Sequence, residues 1–305
     1  MFYNVFIKPC FKYLIDCLCG IIQIMKQYAY AKINLSLIIT GVQGSYHLLD
    51  SIMLSCKDLK DTVIIKKSKK DSIKFLGRYS NIDPENNTVA KTIKLFRDND
   101  LDIPPLSIKI IKRIPIMAGL GGSSADAAAS IKILCKMFGI DINSEKVLKI
   151  AKSVGSDVPY MLNTKPCRVL ELGQKVIPLQ NNCKLKAVIA MNYPMSTKQC
   201  FEAYDQLNII GSNTSKNDAI AKALKENNLA KILENFSNDL EKAANFINPK
   251  IQSAKDALIK AGAEYVNMTG SGGAYYCIVP NNSTKNKIYR RLKGKVNFLF
   301  KTDIF

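Results

Sequence analysis

A glycine-rich stretch in the middle of the chain has the residue types of a loop that binds phosphate. It reads Gly119-Leu120-Gly121-Gly122-Ser123-Ser124 and lies between a predicted strand and a predicted helix. Glycines let the backbone pass close to a phosphate chain, and the free N–H groups at a helix start attract an anion. No Lys-Ser or Lys-Thr pair follows the glycines, which excludes a Walker A loop. A tight strand-to-helix turn without a ligand would use the same residues, so the stretch alone leaves both interpretations open.

Two side chains elsewhere, those of Lys32 and Asp157, have types suited to acid–base chemistry. Residues 28–40 alternate apolar and polar side chains, which predicts a half-buried strand with Lys32 and Asn34 together on the face away from the core. Asp157 lies in the turn-like sequence Gly155-Ser156-Asp157-Val158-Pro159. An exposed lysine and a helix-capping aspartate are the structural alternatives to a catalytic pair.

Short elements of both kinds must position these residues. Besides the first strand, the pattern predicts strands at residues 62–65, 72–75, 106–111, 186–191 and 274–279 and one that ends at residue 269. It predicts helices at residues 88–97, 123–138, 144–154 and 283–292, and a long helical stretch at 197–261 broken around 211–215. Ser123 and Asp126 have the spacing of a capping box at the start of the second helix.

The pattern of strands and helices restarts near residue 182, which we interpret as a domain boundary. The predicted domains are residues 28–182 and 183–305, preceded by an extension at residues 1–27. The first 24 residues are apolar but contain Lys8, Lys12 and Asp16, and so lack the ~20 consecutive apolar residues of a membrane span. No clean small-residue cleavage site follows them, and we expect no membrane association.

Composition narrows the classes of function. The formal net charge is +19, but the basic residues are scattered rather than arranged in blocks, so we expect an anionic small-molecule substrate and no nucleic-acid partner. The nine cysteines include no C-x-x-C pair and the chain has one histidine. This pattern predicts reduced thiols in a cytoplasmic protein without a structural zinc site.

Three motifs resemble those of the GHMP kinases, a family of ATP-dependent kinases that act on small metabolites. Residues 115–127 resemble the phosphate-binding signature, and Thr269-Gly270-Ser271-Gly272-Gly273-Ala274 resembles the third, glycine-rich motif. Ala31-Lys32-Ile33-Asn34-Leu35, followed by Gly44-Ser45-Tyr46-His47, resembles the opening of the diphosphocytidyl-methylerythritol branch. With residues 155–159, the resemblance runs from about residue 28 to the C-terminus.

The resemblance implies an α+β fold of two domains, the first like domain 2 of ribosomal protein S5 and the second ferredoxin-like, with the ligands in the cleft between them. It implies transfer of the γ-phosphoryl group of ATP, with Mg²⁺, to the 2-hydroxyl of 4-diphosphocytidyl-2-C-methyl-D-erythritol in the non-mevalonate isoprenoid pathway.

Ser123 stands where many close relatives have a third glycine, and Ala125 replaces a serine. Because this variant also resembles mevalonate and homoserine kinases, those substrates stay open. A non-catalytic RNA-binding protein with an S5-like fold is the alternative of another class.

The resemblance also implies roles for individual residues. Asp157 matches the catalytic base, and Lys32 would lie beside it and stabilise negative charge. The substrate would be bound by Asn34 and by three residues at the cytosine base, of which His47 reads the base while Tyr46 and Phe201 hold it between their rings. A surface histidine and a core phenylalanine are the alternatives for His47 and Phe201.

The ATP site implied by the resemblance consists of the glycine-rich loop, the residues before it and one distant asparagine. The distant residue is Asn87, for which helix capping is the alternative. The full set is Pro115, Ile116, Met117, Ala118, Gly119, Leu120, Gly121, Gly122, Ser123, Ser124, Ala125 and Asn87.

Overall fold

The computed structural model describes residues 24–305, in which strands and helices form two sheets with helices packed against them. The first strand, β1 (Ile24–Gln43), begins four residues before the predicted start, and Ile24 pairs with Lys66 of the next strand. The rest of the predicted extension, residues 1–23, lies outside the described residues. The division into domains at residue 182 stays a prediction.

The first sheet is built around a long antiparallel hairpin of β1 and β2 (Tyr46–Lys67). Its central order is β3-β4-β2-β1-β8, and β5 pairs with both β2 and β6. The remaining strands of this sheet are β3 (Ser72–Gly77), β4 (Leu106–Lys112), β5 (Cys167–Glu171), β6 (Lys175–Pro178) and β8 (Ser237–Asn238). The predicted strands at 72–75 and 106–111 are confirmed, whereas β5 and β6 were not predicted.

Four helices accompany the first sheet and share a core with it. They are α1 (Thr88–Asp98), α2 (Gly122–Phe138), α3 (Glu145–Val154) and α4 (Val158–Asn163). Val89, Ile93 and Phe96 of α1 are buried, as their helical spacing predicted. Gly139 ends α2 in the left-handed conformation, with φ at 66°.

The second sheet has the order β11-β7-β10-β9. Its strands are β7 (Lys186–Met191), β9 (Val266–Met268), β10 (Ala274–Val279) and β11 (Phe298–Asp303). The predicted strands at 186–191 and 274–279 are confirmed, and β11 was not predicted. The predicted long helical stretch is wrong in detail, because the chain forms α5 (Thr197–Gln206), α6 (Ser215–Lys225), α7 (Leu229–Glu234), β8, α8 (Glu241–Ile247) and α9 (Gln252–Lys260). The last helix, α10 (Asn282–Leu292), begins one residue before its predicted start.

The centre of β1 is buried on both faces, which corrects the prediction of a half-buried strand. Ala31, Ile33 and Leu35 pack in one cluster with residues of the second sheet. On the other face, Lys32 is 3% exposed and Asn34 is 0% exposed, rather than directed into solvent. The prediction was wrong because elements distant in sequence cover the polar face. No helix within residues 24–305 is long and apolar enough to cross a membrane.

Candidate active site

A cleft of about 980 Å³ collects nearly all of the residues that the sequence singled out. Its walls include the glycine-rich loop, the polar residues of β1, the turn that contains Asp157, and helix α5. Ala125 is the exception, because its side chain lies in the hydrophobic core beneath α2. The fold therefore assembles one site from segments that are far apart in sequence.

The glycine-rich loop is held by the third glycine motif through backbone contacts. Gly119 has a φ of 75°, and a Cβ atom there would overlap the carbonyl oxygen of Thr269. A Cβ atom at Gly272 would in turn overlap the backbone nitrogen of Gly119. The Oγ1 atom of Thr269 also donates to the carbonyl oxygen of Gly119 at 3.3 Å. Glycine is needed at both positions because the two backbones touch.

Helix α2 starts directly behind this loop, with its first turn facing the cleft. Its N-cap is Gly121, with φ at 68°, and no side chain caps the helix. The predicted capping box is therefore wrong, because Asp126 is buried and pairs with Lys112 instead of closing the helix end. Uncapped N–H groups at a helix start form a site for an anion such as a phosphate.

Lys32 and Asp157 lie side by side on the cleft wall. Lys32 Nζ is 3.5 Å from Asp157 Oδ2 and donates to Asn34 Oδ1 at 2.6 Å. The backbone nitrogen of Lys32 donates to the carbonyl oxygen of Leu120 at 3.0 Å, which ties the pair to the glycine-rich loop. Asp157 is the residue before α4, but its side chain makes no capping hydrogen bond. Lys32 is therefore not an exposed lysine, and Asp157 does not cap the helix through its side chain.

Asn34 is held in place by hydrogen bonds to several neighbouring residues. Its Nδ2 atom donates to Ser51 Oγ at 2.8 Å, and its backbone nitrogen donates to Thr269 Oγ1 at 3.2 Å. Because Asn34 also accepts from Lys32, these bonds fix the direction of the lysine side chain. Thr269 therefore touches both the glycine-rich loop and the Lys32–Asn34 pair, a role that its place in a glycine motif did not reveal.

Aromatic residues form another wall of the cleft. The ring of His47 stacks on Phe201 with centroids 4.9 Å apart, and its edge meets Tyr204 at 5.7 Å. His47 Nε2 lies 2.7 Å from Asp205 Oδ1. Tyr46 is 67% exposed at the tip of the β1–β2 hairpin. The structure thus brings His47 and Phe201 together, whereas the sandwich of a base between Tyr46 and Phe201 stays a prediction.

Asn87 lines the cleft but uses its side chain to cap α1. Its Oδ1 atom accepts from the backbone nitrogens of Val89 and Ala90, both at 2.9 Å. Its Nδ2 atom donates to the carbonyl oxygens of Asp83 and Pro84. Because this amide is fully engaged, a side-chain contact to adenosine would have to share one of these bonds. The predicted contact stays a prediction.

A buried ionic cluster beneath the start of α2 was missed by sequence reasoning. Lys112 Nζ pairs with Asp126 Oδ2 at 2.6 Å and also with Asp61 Oδ2. Asp61 Oδ1 accepts from two backbone nitrogens, whereas Asp126 Oδ1 has no hydrogen-bond partner within residues 24–305. Asp126 was visible within the phosphate-loop motif, but no local pattern links it to Asp61, 65 residues earlier.

The pKa of Asp126 is raised in this cluster, which has two carboxylates and one ammonium group. Burial raises the pKa of Asp126 to about 7, with Lys112 opposing the shift and Asp61 adding to it. Burial lowers the pKa of Lys112, but its two carboxylate partners outweigh this effect and the net shift is upward. Two carboxylates share the single positive charge of Lys112. Asp61 also accepts hydrogen bonds from backbone nitrogens and Asp126 does not, so Asp126 is the carboxylate that binds a proton.

Replacement of Asp126 by asparagine is expected to remove the decline in the free energy of unfolding that this group causes as the pH rises. The folded-state pKa of about 7 exceeds the usual aspartate value near 3.9, so the folded protein binds more protons between those values. Stability from this group is present below about pH 4 and is lost as the pH rises through about 7. Urea unfolding at about pH 5 and pH 8 should show a decline in wild type that Asp126→Asn lacks. The control is Asp102→Asn at an exposed site, and identical declines in all three proteins would contradict the assignment.

Comparison with known proteins gives one consistent family. The family model for the GHMP kinases N terminal domain matches residues 87–164, and the model for the GHMP kinases C terminal domain matches residues 220–297. The 4-diphosphocytidyl-2-C-methyl-D-erythritol kinase of Thermoanaerobacter pseudethanolicus is 33% identical over 277 residues, which cover 90% of this chain and 94% of the relative. The kinase of the same name from Clostridium tetani is 34% identical over 280 residues, covering 90% of this chain and 98% of the relative.

Solved structures share the fold. A crystal structure of 4-(cytidine 5'-diphospho)-2C-methyl-D-erythritol kinase matches with a TM-score of 0.74 and 22% identity, covering 92% of this chain and 99% of that one. The L. major mevalonate kinase matches with a TM-score of 0.68 and 14% identity, covering 92% and 95%. These matches confirm the predicted α+β fold of the GHMP kinases, in which the structure shows two sheets. The chain belongs to the GHMP kinases, and within them to the family of 4-diphosphocytidyl-2-C-methyl-D-erythritol kinases.

Proposed function

We propose that the protein transfers the γ-phosphoryl group of ATP to the 2-hydroxyl of 4-diphosphocytidyl-2-C-methyl-D-erythritol, in the non-mevalonate isoprenoid precursor pathway. The observation that carries the proposal is the Lys32–Asp157 pair, joined to the glycine-rich loop and set in the same cleft as the aromatic wall of His47 and Phe201. Phosphoryl transfer needs a positioned hydroxyl, a proton acceptor and stabilisation of charge. The names of the curated relatives supply the substrate.

The glycine-rich loop and the start of α2 bind the phosphates of ATP in this proposal. Gly119 and Gly272 let the glycine-rich loop pack directly on the backbone of the third glycine motif, and Gly121 leaves the first turn of the helix without a side-chain cap. The N–H groups of that turn and the positive end of the helix dipole stabilise the phosphate charge. The loop thus orients the γ-phosphoryl group toward the Lys32–Asp157 pair.

Asp157 accepts the proton of the substrate hydroxyl, and Lys32 stabilises the negative charge. The carboxylate is partly open to the cleft, whereas Lys32 is nearly inaccessible to water and held by Asn34. A fixed ammonium group within a few ångströms stabilises the negative charge that develops during transfer and needs no reorganisation during the reaction. Transfer proceeds directly from ATP to the substrate, without a covalent intermediate on the enzyme.

Mg²⁺ is proposed as the metal ion that accompanies ATP. Residues 24–305 hold no group of three His, Cys, Asp or Glu side chains placed to bind a metal. Mg²⁺ at such sites is commonly held by substrate phosphates with one or two protein oxygens, and Asp157, Ser123 and Ser124 offer hard oxygen ligands on the cleft wall. The bound ion would neutralise charge on the phosphates.

Replacement of Tyr46 by alanine is expected to weaken binding of the cytidyl substrate by roughly 1–3 kcal/mol, the scale for losing a base-stacking partner. The exposed ring at the tip of the hairpin lines the cleft without belonging to a hydrophobic core, so the change should spare the fold. Calorimetric titration with cytidine 5'-diphosphate measures the effect, and Tyr193→Ala at another exposed tyrosine is the control. An unchanged dissociation constant would remove Tyr46 from the substrate site.

Substrate identity is tested by a coupled ADP-release assay with Mg-ATP. The diphosphocytidyl-methylerythritol substrate, mevalonate and homoserine are compared side by side. Turnover with the cytidyl compound alone supports the proposal, while turnover with another alcohol would place the protein with the mevalonate or homoserine type. Silence with all three substrates, together with salt-dependent RNA affinity, would favour the non-catalytic RNA-binding alternative. The cytoplasmic location stays a prediction.

A further inference from the structure

His47 is held in a way that determines which of its ring nitrogens can accept a hydrogen bond. The ring is confined between Phe201 and Tyr204, and its side chain is 8% exposed. Its Nε2 atom is 2.7 Å from Asp205 Oδ1, and Nδ1 has no protein hydrogen-bond partner within the described chain. One edge of the imidazole is therefore occupied, the other has no protein partner, and His47 is one of the residues that line the cleft.

The partner of Nε2 decides the tautomer of the neutral ring. A carboxylate can only accept hydrogen bonds, so the proton of the neutral imidazole lies on Nε2 and points at Asp205. The lone pair then stays on Nδ1, which becomes an acceptor. Asp205 is 59% exposed and comes from α5, the helix that also supplies Phe201.

A ring acceptor at this position discriminates between pyrimidine bases. Cytosine presents an exocyclic amino group, a donor, where uracil presents a carbonyl oxygen, an acceptor. In a neutral His47 with its lone pair on Nδ1, this atom accepts a hydrogen bond from the amino group of cytosine. Opposite the carbonyl oxygen of uracil, Nδ1 is a second acceptor and no hydrogen bond forms. A site built to pair with a donor rejects an analogue that lacks it, because a polar group is left unpaired.

We propose that Asp205 is a positioning residue that makes the site selective for cytidine over uridine by fixing the tautomer of His47. This inference rests on the proposed function, because it takes the cytidyl group of the substrate as the ligand of the aromatic wall. Asp205 does not touch the base and acts through His47. Phe201 provides the ring face that keeps the imidazole in its plane.

The selectivity is measured as the ratio of the dissociation constants of uridine 5'-diphosphate and cytidine 5'-diphosphate, determined by calorimetry without ATP. Asp205→Ala frees the ring to carry its proton on either nitrogen, and the ratio should fall about tenfold, the size of one hydrogen bond. Asp205→Lys offers Nε2 only donors, so the proton moves to Nδ1 and the ratio should fall further, toward uridine. The ratio cancels any general effect of charge on the two diphosphates.

The control is Glu202→Lys, which makes the same change of charge on the same helix. Glu202 lines the cleft and is exposed, with Lys198 as its neighbour four residues earlier. This variant should strengthen binding of both diphosphates alike and leave the ratio unchanged. A ratio that falls equally in Glu202→Lys and Asp205→Lys would show that charge, rather than the tautomer, sets the preference.

The tautomer itself can be observed, because His47 is the only histidine in the chain. Protein labelled with ¹⁵N-histidine gives the ring nitrogens of a single residue, and at about pH 8, above the usual imidazole range, their shifts report which nitrogen carries the proton. We expect the proton on Nε2 in wild type, a mixture in Asp205→Ala and the proton on Nδ1 in Asp205→Lys.

The outcomes separate this inference from the proposed function. A wild-type protein that binds both diphosphates equally would overturn the role of Asp205, whereas failure of the proposed function would appear as a lack of turnover with the cytidyl substrate in the ADP-release assay. A wild-type preference for cytidine that persists in both Asp205 variants would overturn only the role of Asp205. A proton found on Nδ1 of wild-type His47 would likewise overturn the role of Asp205 and leave the proposed substrate standing.

Discussion

Replacement of Asp157 by asparagine is expected to lower kcat by at least ~10²-fold while leaving ATP binding nearly intact. An amide cannot accept the hydroxyl proton as a carboxylate does, and it no longer counters the charge of Lys32 3.5 Å away. The glycine-rich loop and the start of α2 are untouched, so the phosphate site remains. Steady-state kinetics with the cytidyl substrate and titration with an ATP analogue measure the two effects separately.

The Asp157 variant should fold normally, which makes its kinetics interpretable. The side chain makes no capping hydrogen bond to α4, so the isosteric change removes no structural contact there. Glu202→Gln, another carboxylate of the cleft wall, is the matched control and should retain turnover. Near-normal turnover in Asp157→Asn would remove this residue from the mechanism.

Replacement of Lys112 by methionine is expected to destabilise the protein by about 3–5 kcal/mol near pH 8, because it leaves two buried carboxylates without their cation. Both partners, Asp61 and Asp126, are almost inaccessible to water. The side chain of methionine fills a similar volume, so lost packing contributes little. Urea unfolding followed by circular dichroism measures the change.

Two comparisons separate the lost ion pair from a general effect of mutation. Lys109→Met removes an exposed lysine from the same strand and should change stability by less than about 0.5 kcal/mol. Adding Asp126→Asn to Lys112→Met removes one of the stranded charges and should recover part of the loss. A Lys112 variant as stable as the Lys109 variant would show that the cluster contributes no net stability.

The sequence predicted best those features that are local. Helices α1, α2 and α3 follow from apolar spacing and from glycine at the end of α2. The burial of Lys32 and Asn34 on the polar face of β1 was not predictable, because it depends on contacts with residues distant in sequence, namely Leu120, Asp157 and Thr269. The strands β5, β6 and β11 are short, and their pairing depends on partners that periodicity does not name.

The candidate site follows the same division. The glycine-rich loop, Lys32 and Asp157 could be predicted because each lies in a contiguous motif. The link from Asp61 to Asp126 and the link from His47 to Asp205 could not, since each joins residues that only the folded chain brings together. Asn87 shows the reverse case, in which a motif residue also serves the helix that it precedes.

The backbone contact between the glycine-rich loop and the third glycine motif has a consequence for how the protein is made. The hydrogen bond from Thr269 to Gly119 spans 150 residues, and closing so large a loop is entropically costly and slow. On the ribosome, a nascent chain that ends before the third glycine motif contains the glycine-rich loop but lacks Thr269 and Gly272, which contact it. The nucleotide site is therefore expected to form only after residues 269–274 have left the exit tunnel, so a nascent chain that lacks them is not expected to consume ATP.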